Sequence, residues 1–229
     1  MANVSWAPFR DQIFDHRARY NRQAAATGWS IEGRSAAEFY WGQYRSENKL
    51  ELAEFISERF AQDRLTIFEF GCHCGNVLRL LDETLRADIV FTGLDPNSDN
   101  LDFARRKFES TGQACKFLVG DENDLDRVNQ GQMYDLFVVS SVFYSMSPRG
   151  VRQVLASARK CSRHLIIADD ISSIDRRSST FKECFKHPYR RLLKESGFEI
   201  VAQRSFVHPK TAYTGVLLAV PYEQRDLAL

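Results

Sequence analysis

The sequence predicts an α/β protein built on a mostly parallel, doubly wound sheet, and three observations carry that expectation. From residue 65 onward, short apolar runs recur that are rich in branched and aromatic residues. Between them lie segments whose apolar residues repeat at three and four, the spacing of one helix face. Glycine, proline and short polar clusters separate the two kinds of segment. Strands alternating with helices are joined by crossovers, which make the strands parallel and cover both faces of the sheet.

Residues 1–64 read as helical. Phe9, Ile13 and Tyr20 recur at helical spacing, and Leu52, Phe55, Ile56 and Phe60 form a second stripe. A connection punctuated by Gly and Ser runs between them from Thr27 to Ser35. LTIFEF (65–70) is the first buried strand, followed by a glycine turn and a helix with Val77, Leu78, Leu81 and Leu85 on one face. IVFTGL (89–94) is the second strand, and Leu101, Ala104 and Phe108 mark the next helix. CKFLVG (115–120) and YDLFVVS (134–140) follow as strands. Ser147 and Pro148 then start a helix that turns Val151, Val154, Leu155 and Ala158 inward. HLIIAD (164–169) is the fifth strand. A helix ending at Gly197 leads to the strand-like runs 198–206 and 212–220. The chain thus divides into an N-terminal helical cap, 1–64, and a sheet domain, 65–229.

Lys and Arg total 31 against 30 Asp and Glu, a formal net charge of +1 in 229 residues. That balance supplies no basic excess for wrapping a nucleic acid, and no apolar stretch is long enough to span a membrane. The N-terminus carries no secretory pattern. Five cysteines, an odd number, read as free thiols in a reducing compartment, so the expected location is cytoplasmic.

Ligands of such sheets bind at the carboxyl ends of the strands, near the point where strand order reverses. The first strand ends in Glu69-Phe70-Gly71-Cys72-His73-Cys74-Gly75-Asn76. Glycines there let backbone N–H groups approach a ligand closely. A dinucleotide fingerprint needs glycine at 71, 73 and 76, and two of those three fail, which disfavours a nicotinamide-dependent oxidoreductase. The pattern acidic-x-Gly-x-Gly-x-Gly keeps Glu69, Gly71 and Gly75, with His73 as its departure. Here the chain resembles the class I S-adenosylmethionine-dependent methyltransferases, in particular those acting on small molecules. The resemblance runs from about residue 50 to 220. It implies a Rossmann-like, doubly wound, seven-stranded sheet and S-adenosylmethionine as cofactor, with Glu69, Gly71, His73 and Gly75 beside its methionine part. Cys72, His73 and Cys74 are not read as a metal site, because no second Cys/His cluster supplies the remaining ligands.

The second strand ends in Asp95 and Pro96, 24 residues after Gly71. A carboxylate there can accept from both vicinal hydroxyls of a ribose, the role the resemblance implies for Asp95. Its competing reading is a helix cap, a duty Asn97 or Ser98 can discharge instead. The third strand ends in Gly120-Asp121-Glu122, similar to the family's adenine-binding stretch, where an acid faces an amino group. Ser140 and Ser141 end the fourth strand beside the same edge, with Phe143 and Tyr144 after them. Each feature alone is weak; their conjunction in order carries the reading.

For the acceptor, the segment 35–46 offers Tyr40, Trp41, Tyr44 and Arg45. The resemblance places such a segment over the cofactor's methionine end. Trp41 and Tyr44 are expected to line the active site and Arg45 to approach the cofactor carboxylate. Packing of the aromatics against the core is the competing reading. Candidate bases are Asp169, Asp170 and His187, near the open end of the sheet. The expected function is methyl transfer to an oxygen or nitrogen of a small molecule. The alternatives are an RNA or protein methyltransferase, or a non-catalytic cofactor-binding scaffold of the same fold. The sequence leaves a homodimer open.

Overall fold

The computed structural model describes residues 30–31, 34–109, 111–129, 131–169, 185, 187–208 and 211–223. Phe9, Ile13, Tyr20 and Asp170 lie outside the described residues.

A two-residue ladder, β1 (Ser30–Ile31) with β2 (Arg34–Ser35), precedes helix α1 (Ala36–Gly42). Ser35 and Glu38 close a capping box there: the Ser35 side chain accepts from the Glu38 N–H, and the Glu38 carboxylate accepts from the Ser35 N–H. Helix α2 (Glu47–Ser57) follows. Its Leu52, Phe55 and Ile56 are fully buried, each worth about 1.5–3 kcal/mol relative to exposure.

Seven strands form the main sheet: β3 (Arg64–Phe70), β4 (Asp88–Asp95), β5 (Cys115–Val119), β6 (Tyr134–Ser140), β7 (Ser162–Asp169), β8 (Phe198–His208) and β9 (Thr211–Pro221). Their order is β5-β4-β3-β6-β7-β9-β8. Strands β3 to β7 pair in parallel, while β9 runs antiparallel between β7 and β8. The expected seven-stranded doubly wound α/β sheet is the observed one. The connecting helices are α3 (Asn76–Thr84), α4 (Ser98–Phe108), α5 (Leu125–Asn129), α6 (Pro148–Cys161) and α7 (Tyr189–Glu195). Ser147 caps α6, accepting from the Gly150 N–H, and Pro148 sits in its first turn.

Strand alternation divides the core in two. Leu65, Ile67, Phe91, Leu136, Val138 and Ile166 pack with α2, α3 and α4 on one face. Phe68, Phe137, Val139, Leu165 and Ile167 pack with α6 and α7 on the other. Helix α2 therefore shares a core with the sheet. The order reverses between β3 and β6, which puts a crevice beyond the carboxyl ends of these two strands.

Candidate functional site

The turn from β3 into α3 holds three departures from ordinary backbone, at alternate residues. Gly71 and Gly75 have φ of 76° and 75°, and His73, between them, has φ of 50°. Only glycine adopts this region freely. A side chain at Gly71 would run into Val142, and one at Gly75 would meet the Phe108 ring at 2.8 Å. His73 sits where the motif expects glycine and adopts the left-handed conformation that position demands.

Asp95 locks this turn. Its Oδ2 accepts from the His73 N–H and its Oδ1 from the Asn97 N–H, both at 2.9 Å. Asn97, not Asp95, caps α4 by accepting from the Asn100 N–H at 2.9 Å. Burial raises the Asp95 carboxyl to about 6, against those two N–H donors, which favour the ionised form.

Glu69 follows Leu65 and Ile67 on the face that packs against α2 and α3, so the strand pattern puts a carboxyl where the next core side chain would stand. It is 2% exposed, and its Oε2 has no hydrogen-bond partner among the described residues. Burial raises it to about 8, opposed by the charge of Lys49. Lys49 comes from the first turn of α2, and burial draws its ammonium below its ordinary value. It makes no ion pair among the described residues; its Nζ lies 5.9 Å from the Tyr40 ring centre. The Tyr40 ring meets the His73 ring edge-on at 5.1 Å. Both ring nitrogens of His73 are covered and have no partner among the described residues, and burial, with Lys49 nearby, takes the imidazole down to about 4. Glu69, His73, Tyr40 and Lys49 thus form one group at the edge of the sheet.

Along the same edge, Ser140 ends β6 on the face of Leu136 and Val138. Ser141 has φ of 56°, and its hydroxyl accepts from Asn48 Nδ2 at 3.4 Å, tying α2 to the end of β6. At the end of β5, Asp121 Oδ1 accepts from the Asn123 N–H at 2.8 Å, and Glu122 is buried. Pro96 is half-buried beside Asp95.

Several residues singled out in the sequence stand elsewhere. Trp41 packs edge-on against Phe103 and Phe108, at 5.8 and 5.6 Å, with the Arg79 guanidinium 4.6 Å from its ring. Tyr44 lies under the same guanidinium at 3.6 Å and donates its hydroxyl to Glu83. Arg45 pairs with Glu83 at 2.6 Å and is exposed, so its charge is engaged on the outer side of α3. Trp41 and Tyr44 pack α1 and the turn after it against α3 and α4, while Arg45 pairs with α3 from the solvent side.

Asp169 closes β7 on the opposite face from Glu69 and Ser140, because Leu165 and Ile167 share its side of the strand. Its Oδ2 accepts from the Tyr189 hydroxyl at 2.9 Å and from the Tyr144 N–H at 3.2 Å. Tyr144 is 37% exposed. His187 is buried, and its Nε2 lies 2.7 Å from the Phe143 carbonyl, which makes that nitrogen the donor. Burial lowers its imidazole. Asp169 and His187 thus both hold the turn 143–146.

Sequence reasoning missed Lys49 and Asn48. Lys49 had a readable signal: it continues the inward stripe of Leu52, Ala53 and Ile56 by one helical step. Ser141 was expected at this edge, but nothing in the sequence requires its left-handed backbone.

Residues 68–165 match a family model described as a methyltransferase domain. No curated protein matches the sequence. Among solved structures, the chain is similar to a magnesium protoporphyrin IX methyltransferase from Synechocystis PCC 6803 with bound SAM. The two are 16% identical, with TM-score 0.59, covering 92% of this chain and 96% of that one. It is also similar to a putative O-methyltransferase from Nostoc punctiforme PCC 73102, with 18% identity and TM-score 0.56 over 76% of this chain and 55% of that one. A third is TrmK from M. capricolum in complex with S-adenosyl-homocysteine, with 11% identity and TM-score 0.55 over 76% and 68%. Residues 68–165 thus resemble a methyltransferase domain, and the chain shares the fold of methyltransferases solved with S-adenosylmethionine or S-adenosyl-homocysteine bound.

Proposed function

We propose that the protein binds S-adenosylmethionine in the crevice beyond β3 to β6 and transfers its methyl group to an oxygen or nitrogen of a small-molecule acceptor. The observation that carries this reading is the pairing of the Gly71–Gly75 turn with a buried acid, Asp95, at the neighbouring strand end. A turn without a Cβ at Gly71 or Gly75 admits close approach, and a strand-end carboxylate suits the two hydroxyls of a ribose. Asp121 and Glu122 would serve the adenine side, and Gly71, His73, Gly75, Pro96 and Ser140 would border the nucleoside.

When bound, S-adenosylmethionine supplies an electrophilic methyl group on a sulfonium. The residues of this chain bind, orient and enclose. Backbone N–H groups of the turn, kept in place by Asp95, face the ligand. Tyr40 closes one side, and its ring face suits a cation. Tyr144, exposed on the turn after β6, is the candidate contact for the acceptor. Holding the acceptor in line supplies much of the acceleration, so the reading assigns no general base. Asp169 and His187 act by fixing the turn that carries Tyr144. In this reading the chain before residue 65 is the cap and residues 65–229 the cofactor-binding domain, with α2 serving as wall and core.

Calorimetry with S-adenosylhomocysteine and with NAD tests the ligand. Saturable binding of the first alone is expected, and binding of NAD alone would overturn the reading. Mass spectrometry of phenols and amines incubated with enzyme and S-adenosylmethionine tests the acceptor class. A salt-dependent affinity for RNA, without methylation of any small molecule, would overturn that part.

A further inference from the structure

Lys49 is the least explained side chain in the site. It projects from the inward stripe of α2 into a region where burial works against its charge, yet it forms no ion pair among the described residues. Glu69, whose charge acts on Lys49, is covered, and its Oε2 has no partner among the described residues. The third member, His73, presents two covered ring nitrogens with no hydrogen-bond partner among the described residues. A half-buried ammonium beside unpartnered polar groups is costly unless a ligand satisfies them. Three unrelated elements, α2, β3 and the turn after β3, supply the three groups, and Tyr40 is in ring contact with two of them.

The donor chemistry narrows the ligand. Lys49 offers only donors, the protonated form of Glu69 offers an O–H, and neutral His73 offers one N–H. Donors converging around one positive charge suit a carboxylate, whose two oxygens accept about four hydrogen bonds. A ligand cation is disfavoured by the ammonium itself.

We propose that Lys49, flanked by Glu69 and His73, forms a seat for a ligand carboxylate at the α2 side of the crevice. The inference rests on the reading of the crevice as a nucleoside site only for where that carboxylate comes from. It is either the amino-acid end of the S-adenosyl ligand or a carboxylate on the methyl acceptor.

The test uses the full chain and two variants, Lys49→Met and Lys49→Arg. The first arm measures affinity for S-adenosylhomocysteine and for 5′-methylthioadenosine, which keeps the nucleoside and sulfur but lacks the amino acid. A seat for the cofactor's carboxylate predicts that Lys49→Met weakens S-adenosylhomocysteine at least tenfold and changes methylthioadenosine less than twofold. The second arm titrates benzoate into the S-adenosylhomocysteine-loaded protein. Binding that Lys49→Met abolishes assigns the seat to the acceptor. Lys49→Arg should restore at least half of the lost affinity in whichever arm responds, and it covers the case in which Lys49→Met does not fold. Equal weakening of both nucleosides, or no effect in either arm in folded protein, overturns the seat. Failure of wild-type protein to bind either nucleoside refutes the proposed function instead, and benzoate titrated into the unliganded protein then decides the seat by itself.

Discussion

The main-chain N–H of His73 donates to Oδ2 of Asp95 at 2.9 Å, so the acid at the end of β4 holds the turn that ends β3. The other oxygen holds Asn97, also at 2.9 Å. Asp95 therefore has two tasks, to shape the turn and to face the proposed ribose. Asp95→Ala should weaken S-adenosylhomocysteine binding by roughly 1.5–3 kcal/mol, the range for hydrogen bonds to charged groups. It should also lower the melting temperature, because two buried N–H groups lose their acceptor. Asp95→Asn, which keeps one carbonyl, should lose less of both. Calorimetry beside a thermal melt measures the two effects. Full affinity in a folded Asp95→Ala protein would falsify the ribose assignment.

Glu69 sets a pH dependence that can be isolated. Its carboxyl has an ordinary value of 4.5 and stands at about 8 when folded. Across that interval the folded protein keeps a proton the unfolded chain has released, so stability falls as pH rises. His73 works in the opposite sense: from 6.5 down to about 4, the unfolded chain takes up a proton that the folded one refuses, so stability falls as pH falls. Asp95 passes its midpoint near 6 in the folded protein and His73 near 6.5 in the unfolded chain, so both contribute little above about pH 7. Between about pH 7 and 8, Glu69 thus dominates the slope among the three. Wild-type melting temperature should decline over that window, and Glu69→Gln should flatten the decline. Parallel profiles for the two proteins would refute the burial of an ionisable Glu69.

His73 occupies a glycine's conformation, with φ of 50°. An L-residue there costs roughly 1–2 kcal/mol of backbone strain, which glycine avoids. His73→Gly should therefore be the more stable of two truncations, ahead of His73→Ala by roughly 1 kcal/mol. Denaturant melts of both variants measure the gap. If alanine is tolerated as well as glycine, the turn does not have the left-handed geometry described.

The fold was legible because periodicity reports burial directly. The run 134–140 coincides with β6, and the Ser147–Pro148 signal marks the start of α6. Position within the sheet was harder to read. Strand β9 inserts antiparallel between β7 and β8, and no local pattern specifies a neighbour that lies far along the chain. The site was legible to a similar degree. Strand ends named Glu69, Asp95 and Ser140, but the α1 segment showed aromatic residues without their directions. Within one helical turn, Tyr40 faces His73 and Trp41 faces Phe108. Composition cannot separate adjacent residues on different faces; only the packing partners do.

That division yields a paired prediction. Trp41 stands against Phe103, Phe108 and Arg79, so Trp41→Ala should cost up to about 3 kcal/mol of stability while leaving turnover of folded protein nearly intact. Tyr40→Ala should do the reverse, lowering stability less and cofactor affinity more. Melts and single-turnover methylation on both variants compare them. Loss of turnover in Trp41→Ala at unchanged stability would return Trp41 to the pocket.

Asp169 distinguishes a structural carboxylate from a catalytic one. Its Oδ2 takes the Tyr189 hydroxyl at 2.9 Å and the Tyr144 N–H at 3.2 Å, fastening α7 and the turn after β6 to the end of β7. Tyr189→Phe removes one of these bonds and leaves the carboxylate chemically intact; its cost should be about 1.5–3 kcal/mol. Asp169→Asn removes the charge but keeps an acceptor for the same donors. If the carboxylate is a fastening, both variants should lose stability, and turnover per folded molecule should fall by less than about tenfold in each. A general base behaves differently, because its removal costs roughly 10²–10⁴ in rate. Asp169→Asn would then lose turnover by that factor while Tyr189→Phe kept it. Measuring the rate below the melting temperature of the weaker variant separates the two outcomes, since every molecule assayed is folded.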